Sequence, residues 1–322
     1  MVRPFFTRIK KFLPFIGIFI FIYTIYALDT TKIIEAILSI HPIYIAIAIP
    51  LTFPRVFIRN YAWKLIQEEQ QIAVSYWESL SIFLMGYFYG TITPGYLGQL
   101  MRIPYLKEKT DQPYGKLFFN SSIETIVHTM SLYVMMFVGA ILVIGSFPEL
   151  FNITAIWLII LFLVLIIFIR RERGERIFQK IVSWFIPKSF KDPLYDFTGT
   201  FYIDFPRIKS LVLPLILGSF TWLLIFTQYY IMILALDLPI PYLYFLLLFP
   251  VANVASFIPI SFAGLGTREL IAVVVFTTLF SVPDEKIFVV SLMGFLISDM
   301  LTGFIGFLVA LRESGKDIFK NL

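Results

Sequence analysis

Apolar residues run along this chain in long blocks, separated by short polar stretches, with none of the strict alternation that marks strands. Six blocks, at about 12–28, 43–65, 118–145, 153–169, 209–236 and 287–311, match the length that a bilayer-spanning helix needs, roughly 17–25 residues. Two more, 78–93 and 241–281, are as apolar but interrupted. The first interruption reads Pro94-Gly95-Tyr96-Leu97-Gly98-Gln99-Leu100-Met101-Arg102. The second reads Pro259-Ile260-Ser261-Phe262-Ala263-Gly264-Leu265-Gly266-Thr267-Arg268-Glu269. Hydrocarbon offers no partner for the N–H and C=O groups freed at such a break, so broken helices persist only inside protein or beside a polar cavity. A pair of breaks in the two halves of a chain points to a transporter's substrate site. The pattern predicts an all-α polytopic membrane protein, a single integral membrane domain over 1–322. It has about six full spanning helices plus two broken or re-entrant helical hairpins.

Composition supports this class. The chain is 59% hydrophobic and 15% charged, where a soluble domain carries about 25% charged residues. It has no cysteine, which excludes disulfides and thiolate chemistry. Two histidines, His41 and His128, argue against a histidine-rich metal site, and no cofactor is expected. The net charge of +5 does not imply nucleic-acid binding, because in a membrane protein the placement of charge matters more than its sum.

Lys and Arg set the sidedness. Arg3, Arg8, Lys10 and Lys11 precede the first block, which has no small-residue cleavage site after it and reads as a retained helix. Arg102, Lys107, Lys109 and Lys116 occupy 98–117, nine basic residues occupy 170–209, and Arg312, Lys316 and Lys320 lie in the tail. The connections 29–42, 146–152, 237–240 and 282–286 carry only Lys32 and Lys286 against six acidic residues. The positive-inside rule then places both termini, and the loop 170–208, in the cytoplasm of a multi-pass protein of the cell membrane. Parity makes 78–102 re-entrant from inside. It makes 241–281 either a deep hairpin from outside or two crossings. Opposite entry suits an inverted repeat, with half-repeats at 43–145 and 209–311. Within 170–208, the stretch 177–186 with Trp184 reads as a segment lying on anionic headgroups.

Ionisable residues inside spanning helices are functional candidates by default. Arg55 and Arg59 share one helical face at i, i+4 and either snorkel to the interface or bind an anion. Glu124 and His128 repeat that spacing. Glu124 has Arg102, Arg55 or Arg59 as partners, and His128 is either structural or a proton shuttle. Asp299, beside Ser298, pairs naturally with Arg268, which is followed by Glu269. Gly294, Gly303 and Gly306 suit close helix packing.

These residues carry a family likeness. The Arg-rich second block with Trp63, the break Pro94-Gly95-x-Leu97-Gly98-x-x-x-Arg102, and Gly264-Leu265-Gly266-x-Arg268-Glu269 resemble the flippase-like membrane domain of lysylphosphatidylglycerol synthases and its stand-alone bacterial and archaeal relatives. The likeness runs from the second block to the last. Gln99 stands where the family often has Glu, Thr125 and His128 replace a base and an acid, and Ala263 stands in place of a glycine. The chain ends at Leu322 without the soluble aminoacyl-transferase domain, so lysyl transfer is not expected, and the chain is read as not itself an enzyme. The resemblance implies a flippase or scramblase for an anionic or charged-headgroup lipid, of phospholipid or polyprenyl-phosphate type. Candidate substrate-binding residues are Arg55, Arg59, Pro94, Gly95, Gly98, Arg102, Glu124, His128, Gly264, Gly266, Arg268, Glu269 and Asp299. The alternatives are a secondary transporter of a small soluble anion, or a non-catalytic membrane partner of a lipid- or glycan-modifying enzyme. Membrane lipids are the expected partners. A homo-oligomer and a separate lipid-modifying enzyme stay open.

Overall fold

A computed structural model describes residues 15–169, 176, 199–200 and 203–320. The cations Arg3, Arg8, Lys10 and Lys11 and the stretch 177–186 with Trp184 lie outside the described residues.

The described residues form helices and connecting turns. In chain order they are α1 (Phe15–Ala27), α2 (Thr30–Ser39), α3 (Pro42–Glu69), α4 (Tyr76–Thr91), α5 (Arg102–Lys109), α6 (Tyr114–Leu142) and α7 (Pro148–Ile169). They continue as α8 (Ile208–Ala235), α9 (Tyr242–Val254), α10 (Thr267–Phe280) and α11, which starts at Asp284, passes a π turn at Leu296–Met300 and goes on as Leu301–Lys320. Among the described residues, α3, α6, α8 and the Asp284–Glu313 part of α11 are long and apolar enough to cross a membrane singly. α1 ends at Ala27, where the first block was expected to end, and meets α2 at a 91° bend. The stretch 29–42, expected to be a plain connection, is largely helical. The Asp29 carboxylate accepts the Thr31 N–H at 3.0 Å and caps α2, which buries Ile33 and Ala36.

Two hairpins lie between the spans. Ser75 and Glu78 form a capping box that starts α4. After the first break, a 3₁₀ turn over Leu97–Met101 and then α5 fold back along α4. In the second hairpin, α9 and α10 run antiparallel, with Phe245 and Phe276 ring centres 5.2 Å apart and Tyr244 and Phe280 5.9 Å apart. The second leg has 14 residues and rises about 21 Å, and the first, continued by a 3₁₀ turn at Ala255–Phe257, rises about 25 Å, both short of the roughly 30 Å hydrocarbon core. Length therefore favours a hairpin over two crossings.

The hairpins exchange partners. The first, through α4, packs on α11, where Phe88 and Phe307 lie 5.3 Å apart. The second, through α9, packs on α6 around Gly139 and Leu247. The predicted role of the α11 glycines holds at Gly306, where a Cβ would sit 2.0 Å from the Leu84 carbonyl oxygen. Between the hairpins, α3 packs on α8. A 3₁₀ turn at Ile49–Leu51, imposed around Pro50, tightens α3, and the Gln228 amide donates to the Ala48 carbonyl at 3.0 Å and to Thr52 at 2.8 Å.

The tips of the hairpins touch each other. Pro94 and Phe262 form an isolated antiparallel β-bridge, and the Gly95 N–H donates to the Ser261 carbonyl at 3.2 Å. Each tip turns through left-handed backbone, at Gly95 and Tyr96 in one and at Ala263, Gly264 and Gly266 in the other. At Gly95, φ is +57° and a Cβ would approach the Phe257 carbonyl oxygen to 2.9 Å, so glycine is required on both counts. α1 closes over the second tip through Gly17, whose N–H donates to Ile260 at 2.7 Å.

Cα atoms paired across an antiparallel bridge lie about 4.5–5.5 Å apart, inside the roughly 4.4–6.8 Å window of a disulfide. We expect Pro94→Cys/Phe262→Cys, in a chain with no other thiol, to cross-link on mild oxidation. Trypsin cleavage within 170–209 should then leave both halves joined until reductant is added, and halves that separate without reductant would contradict the bridge. Ala263 holds φ at +47°. Ala263→Gly should raise stability by up to about 1 kcal/mol, read as a higher melting temperature in detergent.

Candidate functional site

Three arginines from two helices stand in a column at the centre of the helix bundle. Arg55 and Arg59 come from α3, one turn apart, and Arg102 from the start of α5. All three are buried, with Arg59 the most accessible at 9%. Aromatic rings separate them. Arg102 lies over Trp63 at 5.2 Å and Phe83 at 5.0 Å. Arg59 lies over Phe83 at 5.4 Å and Tyr87 at 6.0 Å, and Arg55 over Tyr87 at 5.9 Å. Phe83 and Tyr87 reach this position together because they are i, i+4 on α4. Each guanidinium thus meets a ring face, which favours a cation deprived of water.

Two carboxylates hold the column. Glu124 on α6 accepts from Arg59 Nε at 3.1 Å and from Arg102 Nη1 at 2.9 Å, one oxygen each. Arg102 also donates to Gln99. Of the three partners expected for Glu124, Arg102 and Arg59 are the ones in place. Asp299 lies in the π turn of α11, a distortion frequent at functional sites. It accepts from Tyr87, from Ser298 at 3.0 Å and from Tyr229 at 3.4 Å, with Arg55 Nη1 at 4.0 Å. Arg55 itself donates to the Ser298 carbonyl at 2.8 Å and to Thr302 at 2.5 Å.

The expected pair Arg268–Asp299 is not made. Arg268 donates to its neighbour Glu269 at 2.6 Å and to Ser291 at 3.2 Å, and stacks over Phe295 at 4.4 Å. Glu269 is the third residue of α10. Its carboxylate turns back to accept the Gly266 N–H at 2.7 Å, which satisfies a helix-end donor and brings its other oxygen beside Arg268. Both side chains are fully buried. The second break is therefore a sealed polar knot, while the first borders a cavity.

That cavity, of about 180 Å³, lies near the midpoints of α3, α6 and α8. Arg59, Gly95, His128 and Asp299 line it with Tyr96, Gln99, Asn253, Ser256 and Trp222 among others. A smaller recess behind it is bordered by Arg59, Glu124 and His128. Among the described residues, the only hydrogen bond of the Arg59 side chain is the one from Nε to Glu124. The His128 ring stacks on Trp222 at 4.6 Å, and both its nitrogens are buried without a partner. The cavity thus presents a guanidinium with unused N–H groups, beside an imidazole whose two nitrogens are buried and unpartnered. Of the remaining candidates, Arg55, Arg102 and Glu124 brace the lining residues from behind. Pro94 and Gly98 shape the first tip, where the Gly98 N–H donates to Thr93 at 2.7 Å. Gly264, Gly266, Arg268 and Glu269 belong to the sealed knot.

Tyr87, Tyr229, Gln99 and Trp222 were not candidates from the sequence. Tyr229 and Trp222 lie seven residues apart on one face of α8, a polar-tipped stripe that periodicity alone could have flagged. Nothing in the sequence around Tyr87 distinguishes it from the other aromatic residues of α4.

A helical bundle with a charged, partly open centre and two broken hairpins defines the class: a multi-pass integral membrane protein. Residues 13–306 match the family model of the lysylphosphatidylglycerol synthase TM region, and the chain belongs to that family. It is also similar to the UPF0104 membrane protein MJ1595 of Methanocaldococcus jannaschii, 24% identical over 318 residues, covering 92% of this chain and 94% of that protein. The family points to a role connected with membrane lipids.

Glu124 neutralises two buried guanidiniums at once. Glu124→Ala should destabilise the protein by about 3–5 kcal/mol, as expected when a buried pair loses one partner. The measurement is thermal unfolding in detergent, and a variant that melts like the parent would show that water already reaches Arg102.

Proposed function

We propose that the protein is a lipid translocase, a flippase or scramblase that moves a lipid with an anionic headgroup between leaflets. One observation carries the reading. The 180 Å³ cavity lies halfway along the spanning helices and is lined by a break in the backbone and by Arg59 and His128, both with hydrogen-bonding capacity to spare. A headgroup crossing hydrocarbon needs a polar station at about this depth. Arg59 is suited to it because a guanidinium binds phosphate through paired N–H groups. The tails can stay in the bilayer while the headgroup moves. Membership of a family connected with membrane lipids supports the same reading.

In this proposal the chain sits in the cell membrane with both termini cytoplasmic, following the distribution of Lys and Arg. The half-repeats 43–145 and 209–311 are related by inversion. Three features support this: each half supplies one hairpin, each hairpin packs on the long helix of the other half, and the tips pair antiparallel.

The test is reconstitution into vesicles carrying a headgroup-labelled anionic phospholipid in one leaflet. The protein should speed exchange between leaflets, and Arg59→Ala should slow it at least about tenfold, the equivalent of one charge-assisted hydrogen bond lost. No acceleration with phosphatidylglycerol, phosphatidic acid or polyprenyl phosphate would end the proposal.

A further inference from the structure

The buried charges do not balance, and the imbalance sits at the cavity. Among the described residues, and apart from Lys116, which pairs with Asp204 at 2.5 Å, the buried ionisable groups are Arg55, Arg59, Arg102 and Arg268 against Glu124, Glu269 and Asp299, with His128 besides. Arg268 has Glu269 to itself, and Arg55 has Asp299. Arg59 and Arg102 share Glu124. His128 counts as neutral, since no carboxylate is hydrogen-bonded to it and both its nitrogens lack a partner. Four guanidiniums thus face three carboxylates, and the extra positive charge belongs to the pair that includes Arg59, the cation lining the cavity.

An unpaired charge in a low-dielectric interior is strongly unfavourable, and a ligand of opposite charge relieves it. A ligand with one negative charge removes the surplus. A ligand with two leaves an uncompensated anion where the cation was. Asp299 lines the same cavity and turns a second negative charge away. His128, 5% exposed and stacked on Trp222, lines the same cavity with both ring nitrogens unpartnered, so it adds hydrogen-bonding capacity for a phosphate oxygen beside Arg59.

We infer that the cavity selects a phosphodiester, which carries one negative charge, over a phosphomonoester, which carries nearly two. This rests on the translocase reading for the lipid nature of the ligand, but the charge rule stands on the residue count. Arg59 takes the non-bridging oxygens, and His128 donates to the same group or to an ester oxygen. Glu124 sets the number of charges accepted without touching the ligand, which makes it a positioning residue.

The test is equilibrium binding to the purified full chain in detergent by calorimetry, at about pH 8.5, well above the second phosphomonoester pKa of about 6. The probes are dihexanoyl phosphatidylglycerol, dihexanoyl phosphatidic acid, glycerophosphoglycerol and inorganic phosphate. The diester lipid should bind about tenfold more tightly than the monoester lipid, a modest effect for one unpaired charge in a partly buried site. Glu124→Gln raises the surplus to two and should reverse that order. Asp299→Asn adds the same charge and carries the same expectation should Glu124→Gln fail to fold. Phosphatidic acid bound as tightly as phosphatidylglycerol, or a ratio unmoved in both variants, would overturn the charge rule and leave the translocase reading standing. Glycerophosphoglycerol bound as tightly as the tailed lipid would keep the charge rule and overturn the translocase reading, because the ligand would then be a solute. Binding of none of the four would overturn both.

Discussion

Three guanidiniums cannot be stacked at the centre of a membrane protein unless each is given both a ring face and a share of a carboxylate, and this requirement organises the bundle. Meeting it takes α3 for Arg55 and Arg59, α4 for Phe83 and Tyr87, the first break for Arg102, α6 for Glu124 and α11 for Asp299. Elements distant in sequence are thereby fixed against one another at a depth where apolar packing alone discriminates weakly, because lipid tails are as apolar as the side chains they replace. The break between α4 and α5 answers the same need. It lets the chain reverse, so that Arg102 returns to a level beside Phe83 on the helix it has just left.

The two breaks look alike in sequence and serve different ends. At the second, Glu269 accepts from both a helix-end N–H and Arg268, Ser291 bonds to each of the pair, and acid and base are matched one to one, although Arg268 Nη1 is left without a partner. At the first, Gln99 stands near Arg102 and the single carboxylate must come from another helix, where it also serves Arg59. Local pairing closes one tip, and shared pairing leaves the other beside a cavity with one guanidinium more than its carboxylate balances. The tips nonetheless rest on each other through main-chain contacts, so neither can shift without the other registering it.

Much of this was legible in the amino-acid sequence. Hydropathy located the long spans and both interruptions, because apolar length is a direct consequence of bilayer thickness. The i, i+4 spacing put Glu124 and His128 on one face, and Glu124 does reach Arg102. The sequence misled where the answer depended on geometry finer than helical spacing. The expected cross-helix pair Arg268–Asp299 gives way to a pair of chain neighbours, although adjacent residues on a helix do not ordinarily face each other. The backward turn of Glu269 toward Gly266 is what allows the neighbours to pair. α2 was hidden because the stretch after Leu28, with its charged residues Asp29, Lys32 and Glu35, reads as a connection rather than a helix. Tyr87 was hidden because one hydroxyl among many aromatic residues carries no signal until Asp299 is placed beside it.

The π turn at Leu296–Met300 has a consequence for the last helix as a whole. Before the turn, Ser291, Gly294 and Phe295 face α8 and the second hairpin; after it, Gly303 and Gly306 face α4 of the first. One residue inserted into a helical turn rotates the remainder of the helix by roughly 100° relative to an uninterrupted α-helix. The inward stripe of α11 therefore changes phase partway along, and a single rod can mesh with two differently oriented partners. The joint between those phases is where Asp299 stands, so any sliding or winding of the helix would be felt first by the carboxylate that anchors Arg55.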